Sequence, residues 1–323
     1  MHYPLALTVK DDTIHLDFAG APPQLPQGGL NCTLNYTMAH ATYPLKCMLT
    51  PNVRGNAGCY RAFTVDAPKG SILNCDKPLA VNLRTRTGWY LAPNIFRALS
   101  EAAPKQVQAF TGLPVAASVY GRDAAGDTYS DMLFCGGGQG GSAQGDGKSG
   151  LLYPTSAANT SIETFESRVP VLVVEKTYLT DSGGAGQHRG GLGQRVRLRK
   201  LSDDGLPTRV SLYPEGVNNP IPGLFGGKAG GGASGRVIDE QGHVLKDVGT
   251  GELVQVRQPQ EIVELVLAGG AGYGPASERS REAIARDIAL GFVSPDAAKR
   301  DYGVQGAHAT QDVGEAKAGI LVA

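Results

Sequence analysis

Six glycines fall within the thirteen residues from Asp181 to Gly193, DSGGAGQHRGGLG, between two runs that read as β-strands. A tight hairpin turn needs only one or two. Glycine reaches positive φ without steric cost, and it loses more conformational freedom on folding than any other residue. A chain that accepts this loss repeatedly is expected to need backbone shapes closed to other side chains. Three further clusters repeat the habit: GGGQGGSAQGDGKSG from Gly136 to Gly150, GLFGGKAGGGASG from Gly223 to Gly235, and GGAGYG from Gly269 to Gly274. Together the four hold 25 of the 45 glycines, and patterned runs separate them. They therefore read as loops of a folded body and not as a low-complexity tract.

At 323 residues and 41% hydrophobic content, the chain can build a substantial core, in one large domain or two of ordinary size. Thirty basic and thirty acidic residues cancel without a long run of either sign. That balance argues against nucleic acid or an acidic lipid surface as partner. MHYPLALTVKDD has no basic region followed by an apolar one, and no apolar run approaches the roughly 20 residues of a membrane span. A cytoplasmic protein with no membrane contact is expected. The five cysteines are an odd, widely spaced set without a CxxC pair, which argues against zinc and against a disulfide framework. Cys32 and Cys47, in or beside an apolar helical pattern, read as small buried hydrophobes.

Residues 5 to 18 alternate apolar and polar around Asp11-Asp12, predicting a hairpin. Leu34, Met38, Ala41, Leu45 and Met48 recur at helical spacing until Pro51, and a second helix is predicted from about Pro93 to Ala102. ASVYG, DMLFC, RVPVLVVEKTYL and RVRLRK predict a central sheet. VIDEQGHVLK reads as a hairpin turning at Gly242, and EIVELVLAG as a strand or short helix. Ile284, Ile288 and Phe292 form a helical stripe; Ser294-Pro295 then supply an N-cap and first-turn signal for a helix ending near Gly303. The expectation is a β-rich α+β fold with glycine-rich loops and a few peripheral helices. It occupies residues 1–306 as one domain, with a weakly ordered tail over 307–323.

SAQGDGKS, residues 142 to 149, nearly satisfies the phosphate-cradling G-x-x-x-x-G-K-[ST] pattern. Ser142 stands where the first glycine belongs, and Pro154 follows where a helix N-terminus would have to receive the phosphate. Lys148 is then a surface charge on a loop. The six histidines never pair at i, i+2 or i, i+4, so no metal site is visible. His188 alone lies inside a glycine cluster, between Gln187 and Arg189. TSAANTSIE, with Asn159 and Glu163, lines a pocket or caps turns through its own backbone. Arg84 and Arg86 read as an anion clamp or as a helix start. Asn56 reads as a turn residue beside Gly58.

Read together, these segments resemble the hydantoinase B/oxoprolinase family. The resemblance is carried by DFAGAPPQ at 17–24, LKCMLTPNVRGNAGCYR at 45–61, APKGSILN at 67–74, FCGGGQGG, PTSAANTSIETFE, DSGGAGQHRGGLG, GLFGGKAG and GFVSPDAAKRDYGV, in that order. It implies a subunit of an ATP-dependent multi-subunit enzyme. ATP would be bound by a separate hydantoinase A-like subunit, and a divalent metal by Asp and His ligands in the N-terminal half of full-length family members. That half is not present before the DF-x-G strand, so the resemblance carries no metal ligand here. Met1 and the intact C-terminal signature lead to the expectation of a naturally short subunit rather than a fragment. The reading preferred on that basis is a small subunit of a ketone carboxylase of the acetone or acetophenone type, inactive alone. The alternatives are a cyclic-amide hydrolase subunit and a non-catalytic scaffold. Site residues implied are Asn159, Glu163, Asp181, His188 and Arg189, with Asp146 behind them.

Overall fold

The computed structural model describes residues 3–155, 157–214, 222–249 and 252–304, so the expected tail over 307–323 lies outside the described residues. The chain opens with a hairpin of β1 (Ala6–Lys10) and β2 (Thr13–Asp17), turning at Asp11 with φ 50°. Helices α1 (Leu34–Leu49) and α2 (Ala57–Tyr60) lead to β3 (Phe63–Asp66), which pairs parallel to β2. Next come α3 (Thr85–Gly88), α4 (Leu91–Ala98), β4 (Val115–Arg122), β5 (Thr128–Cys135), α5 (Ile162–Glu166), β6 (Val171–Tyr178) and β7 (Gln194–Lys200). The rest comprises β8 (Thr208–Ser211), β9 (Ser234–Ile238), β10 (Val244–Val248), β11 (Leu253–Val256), β12 (Ile262–Val266), α6 (Arg281–Ala289) and α7 (Pro295–Tyr302). The mixed, β-rich α+β class read from the sequence is the class observed.

Three sheets result, with orders β1-β2-β3, β10-β9-β12-β7-β6 and β11-β8-β4-β5. In β7, QRVRLRK buries Val196 and Leu198 on one face and leaves the intervening arginines half-buried, as the period of two requires. Glu175, Arg197 and Glu264 lie directly opposite one another on β6, β7 and β12, and Arg197 reaches both carboxylates at 2.9 and 2.8 Å. Such pairs reinforce register. Val115, Val119 and Leu133 of the four-stranded sheet share one core with Val196, Leu198, Val263 and Leu265 of the five-stranded sheet. A second core joins β2 and β3 to α1 and α4 through Leu16, Phe18, Leu45, Ile72, Leu91 and Ile95.

The glycine clusters meet between these cores: 269–274 is buried throughout, much of 136–150 and 181–193 packs against it, and 223–235 lies along the outside with Phe225, Gly226, Lys228 and Gly232 exposed. Six consecutive amides of 269–274 donate in a repeating order: Gly269 to Gly231 and Gly272 to Lys228, Gly270 to Gly191 and Tyr273 to His188, Ala271 to Phe110, and Gly274 to Leu224, all at 2.8–3.0 Å. A pleated strand bonds on two sides only; donors that repeat every third residue fit an extended threefold helix, which has no internal hydrogen bonds. The same spacing links Gly138 and Gly141 to Ala268 and Ala271, and Lys228 and Gly231 to Ala185 and Ser182.

This geometry corrects the expectation drawn from the glycine count. Only Gly145, Gly150, Gly226 and Gly274 of the four clusters have positive φ. Most of the others are demanded by proximity. A Cβ at Gly138 would fall on the carbonyl of Gly191, and one at Gly270 on the carbonyl of Gln139.

Other expectations divide. The hairpin at Gly242, the strand reading of 261–269 and the cap of α7 are observed, with the Ser294 side chain accepting from Ala297 and Gly303 left-handed at φ 70°. The helix predicted from about Pro93 starts two residues earlier and ends at Ala98. On α1, Ala41, Leu45 and Met48 are buried but Met38 is exposed, because the buried stripe also takes Thr37 and Pro44. Cys32 is buried as expected, whereas Cys47 is exposed: it lies four residues beyond Tyr43 and one residue off the Leu45–Met48 stripe. No helix among the described residues is long and apolar enough to cross a membrane.

Gly270→Ala is expected to cost at least about 3 kcal/mol, the upper range for overpacking, because the clash is with backbone on several sides. Gly55→Ala, whose new methyl meets only the Tyr60 hydroxyl at 3.6 Å, should be near neutral. Urea denaturation of both variants compares them; equal midpoints would contradict the lattice.

Candidate functional site

The segment from Gly136 to Thr155 runs through the lattice and presents side chains to two places. On one side is a buried ionic clamp. Arg279 donates to both carboxylate oxygens of Asp146 at 2.7 Å, to Asp287 at 2.6 Å and to the Gln187 carbonyl at 3.0 Å. Arg189 donates through Nε to Asp287 at 3.2 Å, and its backbone amide donates to Asp146 at 2.7 Å. Arg189, Arg279 and Asp287 are only 4%, 6% and 2% exposed while the Asp146 side chain keeps 24%, so the network is largely removed from water and is charge-neutral as a square of two arginines and two aspartates. Burial pushes the Asp146 carboxyl up, but its bonds to Arg279 and to the Arg189 amide outweigh this and hold it below the ordinary carboxylate range. The same partners hold the Arg279 guanidinium charged against burial.

The structure thus brings Asp146 and Arg189 together and adds Arg279 and Asp287, which sequence reasoning missed. One signal was present: Asp287 lies three residues after Ile284, a charge on the apolar face of α6. Asp181 is elsewhere. Held at φ 65°, it accepts from the Ser294 amide at 2.7 Å and donates its own amide to Phe292, fastening the start of α7. The His188 backbone exchanges two hydrogen bonds with Tyr273, and the rings lie 6.3 Å apart. Asn159 bonds the Gly136 amide at 3.2 Å and the Gly150 carbonyl at 3.0 Å, tying the two ends of the loop together. Glu163 is exposed at the start of α5, where Ser161 donates to it at 2.6 Å and lowers its pKa. Arg84 lies over Tyr36 at 5.1 Å and Arg86 over Tyr213 at 4.9 Å, beside the start of α3, in place of a shared anion clamp. Asn56 caps α2 by accepting from Cys59, as a turn residue would.

On the other side is a cavity of about 470 Å³ between α1, α4 and the glycine loop. Tyr43 and Cys47, one turn apart on α1, face Gln108, Gln139 and Tyr153, and among the described residues no charged side chain lines it. Gln139 donates to Gln108 at 3.1 Å, and Gln108 donates to Thr111 at 3.3 Å. The Tyr43 and Tyr153 rings are 6.1 Å apart. Burial pushes the Tyr43 hydroxyl up to about 12 and the Tyr153 hydroxyl well above its ordinary value, so both stay protonated.

Among the described residues, the loop around Lys148 and the acidic, histidine and cysteine side chains are the candidates for a nucleotide phosphate and a metal. In the loop around Lys148, the Gly147 amide bonds Arg189, the Lys148 carbonyl accepts from Gln139, and the Ser149 hydroxyl accepts from Leu192. The Ser142, Gly145 and Lys148 amides are likewise bonded, to Gly145, Ser142 and the Gln139 side chain, and no helix begins there among the described residues before α5, which argues against a phosphate cradle in this loop. Among the described residues no group of three or more His, Cys, Asp or Glu could hold a metal ion.

Residues 1–276 match the family described as Hydantoinase B/oxoprolinase. The caprolactamase subunit beta of Pseudomonas jessenii is 30% identical over 312 residues, covering 92% of this chain and 52% of that protein. The crystal structure of the ATP-dependent caprolactamase from the same organism superposes with a TM-score of 0.79 at 27% identity, over 94% of this chain and 54% of that one. Acetone carboxylase in its nucleotide-free structure gives a TM-score of 0.74 at 20% identity, over 95% and 46%. At that identity the likeness concerns the fold alone. The chain spans about half the length of the curated relatives it matches.

Asp287→Ala leaves two buried guanidinium groups sharing one carboxylate, and is expected to destabilise by roughly 3–5 kcal/mol. Chemical denaturation measures it. Because the Asp146 pKa is depressed in the folded state, its contribution is present above the unfolded value of about 3.9 and is lost as pH falls through the lower folded value. Acid titration of wild type should therefore weaken the docking of α6 and α7 below about pH 4, read as faster proteolysis at the C-terminal helices; resistance unchanged down to pH 2 would contradict the clamp.

Proposed function

Since the chain belongs to the hydantoinase B/oxoprolinase family, we propose that it is one component of an ATP-dependent enzyme that opens cyclic amides. The observation carrying this reading is the 30% identity with the caprolactamase subunit beta along 92% of the chain. A ketone carboxylase, the preference drawn from the sequence alone, is supported only by the acetone carboxylase likeness at 20% identity. Ring opening is therefore the reading favoured here.

In this proposal ATP and a divalent metal belong to partner chains, with a hydantoinase A-like subunit holding the nucleotide. An amide carbonyl is a weak electrophile, and the nucleotide, when bound by the partner, supplies its activation. What this chain supplies is placement. The lattice fixes the loop from Gly136 to Thr155 with backbone bonds at both ends, and a fixed polar surface orients a carbonyl substrate at low entropic cost. Asp146, Arg189 and Asp181 act in this reading as positioning residues, because each is engaged with the C-terminal helices or the loop backbone. Asn159 likewise holds the loop closed. For His188 and Glu163 a catalytic role remains a proposal to be tested by substitution.

Reconstitution with the partner subunits is expected to give ATP hydrolysis that depends on a lactam and ignores bicarbonate. The chain alone should turn over neither. ATP hydrolysis requiring a ketone and bicarbonate would favour the carboxylase. His188→Ala and Glu163→Gln, in complexes shown to be intact by gel filtration, then separate catalysis from scaffolding, since a pure scaffold keeps full turnover in both.

A further inference from the structure

The four-stranded sheet ends, near the turn between β4 and β5, in a cleft of about 560 Å³, within the range of about 300–1,000 Å³ seen for small-molecule sites. Strand register decides what stands in it. Tyr120 is opposite Ser130 on β5 and Arg209 on β8, and Arg122 is opposite Thr128, so these five side chains share one face. Val119 and Val210, which alternate with them, are buried in the sheet core, so the shared face is the outer one. Arg122 lies two residues beyond Tyr120 and is the diagonal neighbour of Arg209, about 7–8 Å away between Cα atoms.

Both arginines line the cleft, and among the described residues no carboxylate lines it and neither arginine has an ion pair. The nearby acids are turned to other partners. Asp204 accepts from Lys200, Ser202 and the Leu206 amide, Asp131 pairs with Arg168, and Asp123 accepts from the Ala125 and Asp127 amides. Like charges set side by side without a counter-charge are unfavourable, and an anion between them relieves this. The walls are held in shape by the chain itself. Lys200, only 3% exposed, donates to Asp204, to the Leu206 carbonyl at 2.8 Å and to the Arg257 carbonyl at 3.4 Å, which pins the loop carrying Leu206 and Pro207. The Tyr129 hydroxyl pairs with Thr208 at 2.8 Å and lies where a Cβ of Gly121 would fall.

We propose that this cleft binds a phosphate monoester of a small apolar group, the phosphate bridging Arg122 and Arg209 and the organic part lying against Tyr120, Leu206 and Pro207. Charge sets the class: two guanidinium groups match a dianion, whereas a carboxylate neutralises only one of them. The apolar walls set the substituent. The cleft lies at the opposite end of β4 and β5 from the glycine lattice, about 20 Å away at the rise of a strand. It is a second site, and it does not rest on the cyclic-amide reading.

Calorimetric titration of the full-length chain with phenyl phosphate tests the site, with inorganic phosphate and benzoate as separate arms. Phenyl phosphate is expected to bind at millimolar concentration or below, and more weakly as salt is raised. Arg122→Gln and Arg209→Gln should each weaken binding about three- to fivefold, the scale of one exposed ion pair, with melting temperatures unchanged. Arg54→Gln, which removes the same charge from an exposed position before α2, should leave binding as it was. Leu206→Ala should weaken phenyl phosphate but not inorganic phosphate. Absence of binding up to about 10 mM overturns the proposal. So does equal weakening by Arg54→Gln, which would mean diffuse attraction to net charge. Benzoate binding as tightly as phenyl phosphate overturns the dianion, and inorganic phosphate binding as tightly overturns the apolar wall.

Discussion

Backbone meeting backbone at distances that leave no room for a Cβ is the constraint on which the rest of the structure depends. Clusters 181–193 and 223–235, together with Phe110, contribute carbonyls to the consecutive amides of 269–274, and cluster 136–150 donates its Gly138 and Gly141 amides to Ala268 and Ala271. Glycine in such numbers is unfavourable in the unfolded-to-folded entropy balance by roughly 0.5–1 kcal/mol per residue relative to alanine. That loss is offset by hydrogen bonds of about 1 kcal/mol net each and by the close packing of chains that carry no side chains between them. The lattice joins two apolar cores at adjacent residues: Leu267 belongs to the sheet sandwich and Ala268 to the helical core.

An interior without side chains pushes the chemistry to its margins. The residues between the glycines point outwards from the bundle, and this is why one loop can serve two environments. Asp146 turns to the clamp with Arg279 and Arg189, while Gln139 and Ser142 turn to the cavity. The clamp is a buried, neutral square of charges whose value lies in specificity of docking, since such networks seldom exceed a hydrophobic replacement in stability. Together with the Asp181–Ser294 bond and the Lys228–Asp301 pair at 2.9 Å, it fixes α6 and α7 against the lattice.

The two sides of the candidate site differ in character, one ionic and one uncharged. The described residues offer no metal cluster, and their most phosphate-like loop has its amides committed to the lattice. What they offer is an uncharged cavity with a rigid floor.

Much of the architecture was legible from pattern. The hairpin at Asp11, the arginine-alternating strand β7, the Gly242 turn and the Ser294 cap all rest on local rules of period, turn chemistry and capping, which involve residues near in sequence. The hydantoinase B resemblance was likewise carried by motifs in order along the chain. What local rules did not reach is equally specific. The glycine clusters read as loops needing positive φ, because nothing in a single segment announces that three others will press against it. Arg279 and Asp287 lie about 90 residues beyond Arg189, and Tyr43 lies 110 residues from Tyr153, so neither the clamp nor the cavity has a sequence signature. The sequence by itself determined the elements and the family. Which glycines are interior, which charges neutralise one another and where a cavity opens were decided only by tertiary packing, because each depends on contacts between segments that share no local pattern.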